Sequence, residues 1–160
     1  MTTVSTEAPP IERLEHWTLV STDIERTRKF YVQVLGATVP NRQGGPASVM
    51  LAGTIIDFFP AKDGGQQPAP GTGGQHHAYI IRIEDYDPFV AHLEALGVRY
   101  RRTTHGLGRM SIYVDDPDGF YIELTVPLGD PETGKREIEK RGLLDTVQQR
   151  TDMSNVGGWV

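Results

Sequence analysis

The sequence predicts an α+β fold built from two tandem strand-helix-strand-strand-strand modules. Three observations carry this. A strand-like run, a capped helix and three short strands fill residues 12–60, and the same order recurs over 76–128 at nearly the same length. Gly53-Thr-Ile-Ile-Asp57 and Gly119-Phe-Tyr-Ile-Glu123 each place an acid four residues after a turn glycine, on the last strand of a module. Histidines lie on the first strand of both, His16 in module one and the His76-His77 pair in module two. Tandem symmetry of this kind predicts a shared site.

Residues 1–10 are polar and end in Pro9-Pro10, a pairing that resists helix, so they read as an extended leader outside the fold. A strand is expected over Leu14 to Ser21. Thr22-Asp-Ile-Glu25 has the form of a Thr-x-x-Glu capping box and opens a helix whose apolar stripe is Ile24, Thr27, Phe30, Tyr31, Val34 and Leu35. Gly36 can take the left-handed conformation that ends it. Strands over Ala37 to Pro40, Ala47 to Leu51 and Thr54 to Phe59 follow, separated by the turn signals Gln43-Gly44-Gly45 and Gly53.

Residues 61–75 carry glycine, proline and glutamine without hydrophobic period and read as a flexible connector. The pattern then restarts with a strand over His77 to Ile83. Asp87-Pro88 opens a second helix, with Phe89, Val90, Leu93 and Leu96 inward and Gly97 closing it. Strands are expected over Val98 to Thr103, Arg109 to Val114 and Tyr121 to Val126, with Asp116-Pro-Asp-Gly119 as the last turn. Together these elements make one domain over residues 11–128.

Residues 129–160 form an extension, helical in part. Lys135 to Gln149 holds helix formers and apolar positions at Ile138, Leu143, Leu144 and Val147, interrupted by Gly142. That stripe and Trp159 suggest an element that crosses a twofold partner or covers the cleft. A homodimer is the expected assembly.

With a net charge of −5 and an isoelectric point near 5.5, the chain lacks the basic field that nucleic acid or an anionic membrane requires. No apolar run is long enough to span a bilayer and the N-terminus has no signal core, so a cytoplasmic protein acting on a small molecule is expected. Cysteine is absent, so His, Asp and Glu are the strong metal ligands available. Imidazole and carboxylate on neighbouring strands can converge to hold Fe(II), Mn(II), Ni(II) or Zn(II). Because strand side chains alternate, Glu123 points away from the layer buried by Ile122 and Leu124, where an acid has no core role. The same alternation, counted from Ile81 and Ile83, favours His76 over His77 for that side.

Here the motifs become specific. His16-Trp-Thr-Leu-Val-Ser-Thr-Asp-Ile-Glu-Arg-Thr-Arg-Lys-Phe-Tyr-Val-Gln-Val-Leu-Gly36 resembles the opening strand and helix of the vicinal-oxygen-chelate superfamily, which includes glyoxalases, fosfomycin-resistance proteins, bleomycin-binding proteins and extradiol dioxygenases. Asp85-Tyr-Asp-Pro-Phe-Val-Ala-His-Leu-Glu-Ala-Leu-Gly97 and Asp116-Pro-Asp-Gly-Phe-Tyr-Ile-Glu123-Leu resemble its second helix and its closing signature. The resemblance implies a curved, half-open mixed β-sheet barrel with helices outside, the glyoxalase-like fold. It also implies a divalent ion, Fe(II) favoured, held by His16, a histidine of the 76/77 pair and Glu123. His77 is preferred, with His76 as alternate, because counting back from Asp85 as from Asp23 lands on Ala78 and leaves the pattern offset by at least one residue. Asp57 takes the place of a fourth ligand, a Glu in glyoxalase-like members, and is one methylene shorter.

Tyr113, ten residues before Glu123, matches a tyrosine beside the ligands of extradiol enzymes, and His105 lies near their loop histidine. An open metal face then implies dioxygenase chemistry on a vicinal diol, assisted by Tyr113 and His105. If Asp57 reaches the ion, isomerase or lyase chemistry with a mobile carboxylate is implied instead. A metal-free pocket that sequesters a drug is the third reading. His92 reads as a surface helix residue, Trp17 and Phe59 as packing residues, and Arg82 and Arg109 as ordinary surface arginines.

Overall fold

The computed structural model describes residues 12–41, 44–62 and 76–144. In chain order the elements are β1 (His16–Ser21), α1 (Ile24–Leu35), β2 (Ala47–Leu51), β3 (Thr54–Pro60), β4 (His76–Ile80), α2 (Tyr86–Ala95), β5 (Arg101–Thr104), β6 (Arg109–Asp115), β7 (Tyr121–Pro127) and α3 (Pro131–Lys140). A short 3-10 turn, Ile83–Asp85, leads into α2. The leader, residues 63–75 of the connector, and the tail from 145, with Val147 and Trp159, lie outside the described residues.

The mixed α+β fold and its repeat are present. One sheet runs β1-β3-β2 and the other β4-β7-β6-β5. In each, the first strand is parallel to the last, and the last is antiparallel to its predecessor. The two sheets do not close into a barrel within the chain. The strand expected over 37–40 is reduced to one bridge, Thr38 to Met50, in the position that β5 occupies in the second sheet. Pro40 has no amide to give a ladder and Val39 is exposed, so nothing prolongs the pairing.

Local chemistry sets the helix ends. Asp23, not Thr22, caps α1: its carboxylate accepts from the Arg26 amide, while the Thr22 hydroxyl is drawn to Asp118. Gly36 ends α1 at φ 71°, and Thr27, Phe30, Tyr31, Val34 and Leu35 are buried. α2 begins one residue earlier than expected, with Tyr86 fully buried, and Leu96 on its far side is 38% exposed. α3 begins at Pro131, well before Lys135. Asp130 accepts from the Glu132 and Thr133 amides, and proline is pre-organised for the first helical position. Ile138 and Leu143 fill the core, and the chain turns away at Gly142, φ 65°.

The modules meet along a polar latch and an aromatic seam. Asp118, in the β6–β7 turn, accepts from the Thr22 amide at 3.1 Å, the Thr22 hydroxyl, and Thr27 Oγ1 at 3.0 Å. Trp17 of β1 stacks on His77 of β4 with ring centroids 3.8 Å apart, and Phe120 flanks both. Among the described residues no helix is long and apolar enough to cross a membrane.

Candidate functional site

The second sheet assembles the site. Its register sets Ala78, Glu123, Tyr113 and Arg101 side by side across four strands, so these side chains share one face. His76, two residues before Ala78, is on that face as well. His77 is on the other, stacked on Trp17, with burial and then the neighbouring His76 lowering its pKa. The alternate His76, and not the preferred His77, is thus the histidine on the face of Glu123, because a one-residue step along a strand reverses the side.

Glu123 is 4% exposed and well partnered. Ser111 Oγ donates to Oε1 at 2.5 Å and His76 Nε2 stands 3.0 Å from Oε2. His105 Nε2, from the β5–β6 loop, lies 3.5 Å from Oε1 and 3.0 Å from the Tyr113 hydroxyl. Burial alone would raise the carboxyl's pKa, but the hydrogen bonds from Ser111 and Tyr113, the nearby His105 and the bond from His76 reverse this and lower it. Glu123 is thus held as a carboxylate. The Tyr113 phenol is pushed well up, by burial first and then by the Glu123 charge, so it stays protonated at neutral pH. The Arg101 guanidinium lies 4.8 Å from the centre of the Tyr113 ring.

Two expected members lie elsewhere. His16 is on β1, exposed, with Nδ1 paired to the Glu15 carboxylate. Asp57 is buried on β3 between Thr18 and Ser48. Yet the register makes them equivalent to the second-sheet pair. Asp57 faces Thr18, two residues after His16, as Glu123 faces Ala78, two residues after His76. Among the described residues no group of three or more His, Asp or Glu side chains, the His76–Glu123–His105 cluster included, is arranged to hold a metal ion, and none joins His16 and Asp57 to the His76–Glu123 pair.

In kind, the donors suit a borderline divalent cation: an imidazole nitrogen and a fixed carboxylate, side by side on rigid strands. In number, one chain offers two of the three expected. Ser111 is the member of the cluster that sequence reasoning missed. Its signal was strand parity, since it lies two residues before Tyr113 on the same face of β6. His92 proves structural, with Nε2 2.9 Å from the Gln33 carbonyl of α1.

Comparison with known proteins supplies the family. A family model described as the Glyoxalase/Bleomycin resistance protein/Dioxygenase superfamily matches residues 13–124. Glutathione transferase FosA of Serratia marcescens is 27% identical over 116 residues, covering 72% of this chain and 82% of that protein. A crystal structure of the genomically encoded fosfomycin resistance protein FosX from Listeria monocytogenes aligns with a TM-score of 0.61 and 26% identity, covering 78% of this chain and 99% of that one. A glyoxalase/dioxygenase from Nostoc punctiforme aligns with a TM-score of 0.64 and 23% identity, covering 79% and 99%. With two sheets of matching strand order and a family match over most of its length, this chain belongs to the Glyoxalase/Bleomycin resistance protein/Dioxygenase superfamily.

Proposed function

We propose that this protein is a divalent-metal-dependent enzyme acting on a small oxygenated molecule, with ring-opening dioxygenation of a vicinal diol as its leading reaction. The observation that carries the reading is the arrangement around Glu123: His76 on one carboxylate oxygen, Ser111 on the other, and the His105–Tyr113 pair alongside. His76 and Glu123 are two of the ligands. His16 is the third, supplied by a second copy of the chain, because its register matches that of His76 while a single chain leaves it apart. This ligand set requires a homodimer, and a cytoplasmic setting agrees with a cysteine-free chain.

A bound ion, Fe(II) by preference, supplies a Lewis acid and a site for oxygen. The chain's own residues do the rest. Glu123, fixed by Ser111, holds its charge toward the ion's position and cannot swing away as a mobile base. His105, hydrogen-bonded to Tyr113 and half-exposed, is the group placed to take a proton from a substrate hydroxyl. Tyr113 stays protonated, and its one hydroxyl proton, shared with Glu123 in the free chain, would turn to a substrate oxygen on which negative charge develops.

A second reading is favoured by two observations. FosA is named a glutathione transferase and FosX a fosfomycin resistance protein, and Asp57 is a buried acid at the position equivalent to Glu123. Addition of a thiol or water to a small epoxide, or isomerase and lyase chemistry, would use that acid. Oxygen uptake with a catechol panel under Fe(II), set against adduct formation from fosfomycin and glutathione under Mn(II), separates the two. No oxygen uptake across the panel ends the leading reading, and a purified chain that binds no divalent metal ends both, leaving a metal-free binding protein.

A further inference from the structure

The extension that follows the family match reaches the site indirectly. α3 is fixed at its far end. Arg141 donates to Asp87 of α2 from Nε and Nη2, each at 3.0 Å, and to Glu137 Oε2 at 2.7 Å, with its guanidinium 5.4 Å from the centre of the Tyr86 ring. Ile138 and Leu143 are buried in the core beside it. At its near end α3 presses on the loop that carries His105. A Cβ added to Gly134 would stand 1.8 Å from the Leu107 carbonyl oxygen and 2.9 Å from its carbon, so only a residue without a side chain permits this approach. The obstacle is backbone, not the tip of a flexible side chain. The same loop is tied at Gly108, whose carbonyl accepts from the Leu128 amide at 2.9 Å, and at His105, whose amide donates to the Arg109 carbonyl at 3.0 Å.

We propose that Gly134 is a positioning residue for His105: α3, anchored on α2, holds the 105–108 loop through Gly134 and Leu107 and thereby sets the imidazole against Tyr113 and Glu123. The inference deepens the reading above, in which His105 handles the substrate proton. The strands already fix His76, Tyr113 and Glu123; His105 is the one member on a loop, and to the backbone ties at the ends of that loop α3 adds a contact at Leu107, between them. A methyl group at 134 has to push Leu107 outward, and a displacement of about 1 Å at a proton-handling group can cost on the order of 100-fold in rate.

The test is nuclear Overhauser contact between labelled rings in the full chain. His105–Tyr113 and His76–Tyr113 have similar centroid separations, 6.3 Å and 6.1 Å, so the second serves as an internal control. In Gly134→Ala the His105–Tyr113 contact should fall by about half or more while the His76–Tyr113 contact and Mn(II) affinity stay within about twofold of wild type. An unchanged His105–Tyr113 contact, or loss of both contacts together, overturns the proposal. Should that variant fail to fold, Arg141→Met frees the far end of α3 without a clash, and the same selective loss is expected; its absence counts against the proposal equally. The ring contacts need no metal, so a chain that binds no Mn(II) defeats the functional reading and leaves this inference to be decided by the rings alone.

Discussion

His76 Nε2 and Glu123 Oε2 stand 3.0 Å apart on neighbouring parallel strands, a separation fixed by the β4–β7 register and not by loop conformation. In the proposed reading both are ligands of one cation. Replacing Glu123 by Gln should weaken Mn(II) or Zn(II) binding by about 10- to 100-fold or more, since a carboxylate ligand becomes a neutral amide. His77→Phe keeps the stack on Trp17 and should leave affinity within about threefold. Calorimetric titration of both variants checks this; equal losses would mean that His77 contributes as much as Glu123, and an undiminished affinity in Glu123→Gln would mean that the metal is bound elsewhere.

His77 has a structural role, and its removal should show as instability. Its ring fills the seam between the modules against Trp17 and Phe120. His77→Ala should cost about 1–3 kcal/mol in urea unfolding, whereas His77→Phe should cost little. A silent His77→Ala would mean that the seam does not hold the modules together.

The choice between these two histidines also shows what the sequence made legible. The repeat was readable because its punctuation is conformational: Gly53 and Gly119 both sit at positive φ, 77° and 83°, and the acids follow at fixed strand distance. Strand parity from Ile81 correctly put His76 on the side of Glu123, while the count against the family pattern pointed one residue away, and one residue is a whole face. Helix ends were less legible. Asp23 outcompeted Thr22 because Asp118, far along the chain, captured the threonine hydroxyl. The Asp130-Pro131 cap was a local signal that the apolar stripe beginning at Ile138 obscured. Contacts such as Gly134 on Leu107 have no sequence signature, since they depend on how α3 docks.

Burial at the β6–β7 turn predicts a pH effect on stability. Burial, aided by neighbouring acid charges, pushes the Asp116 carboxyl up to about 7, against hydrogen bonds from the Phe120 and Asp118 amides; burial likewise lifts Asp115 to about 6. In the unfolded chain both titrate near 4. Between about pH 4 and 7 the folded state therefore holds more protons, and these groups make stability fall as pH rises. Asp116→Asn keeps an oxygen for the two amides and removes the charge. Its urea midpoint should exceed wild type at pH 8, with the difference shrinking toward pH 4; a constant difference would deny the linkage.

Asp118 carries the opposite sign. Burial would raise its carboxyl, yet the Thr22 hydroxyl and amide and the Thr27 hydroxyl bring it below its ordinary value. The latch is thus strongest above the unfolded pKa near 4 and is lost as pH falls through the folded value. Asp118→Ala leaves the Thr22 amide and two hydroxyls without their acceptor, and should cost about 2–4 kcal/mol at pH 7 and less in acid. Urea titrations at pH 7 and pH 3.5 check the sign.

The sharpest test of the whole site uses two broken chains. If His16 of one copy completes the His76–Glu123 pair of another, His16→Ala and Glu123→Gln disable every site in their respective homodimers. A mixed dimer differs. One of its two sites takes His16 from the Glu123→Gln chain and His76 with Glu123 from the His16→Ala chain, so all three ligands are native; the other site lacks two. Mixing the variants under exchange should restore tight Mn(II) uptake to about half of the sites in the mixed dimers, read by calorimetry or electron paramagnetic resonance. Were each site drawn from a single chain, every site in every dimer would remain defective and mixing would restore nothing. Restoration requires both equivalent registers, His16 on β1 and His76 on β4, to face one ion across two copies, which is the arrangement the open sheets leave room for.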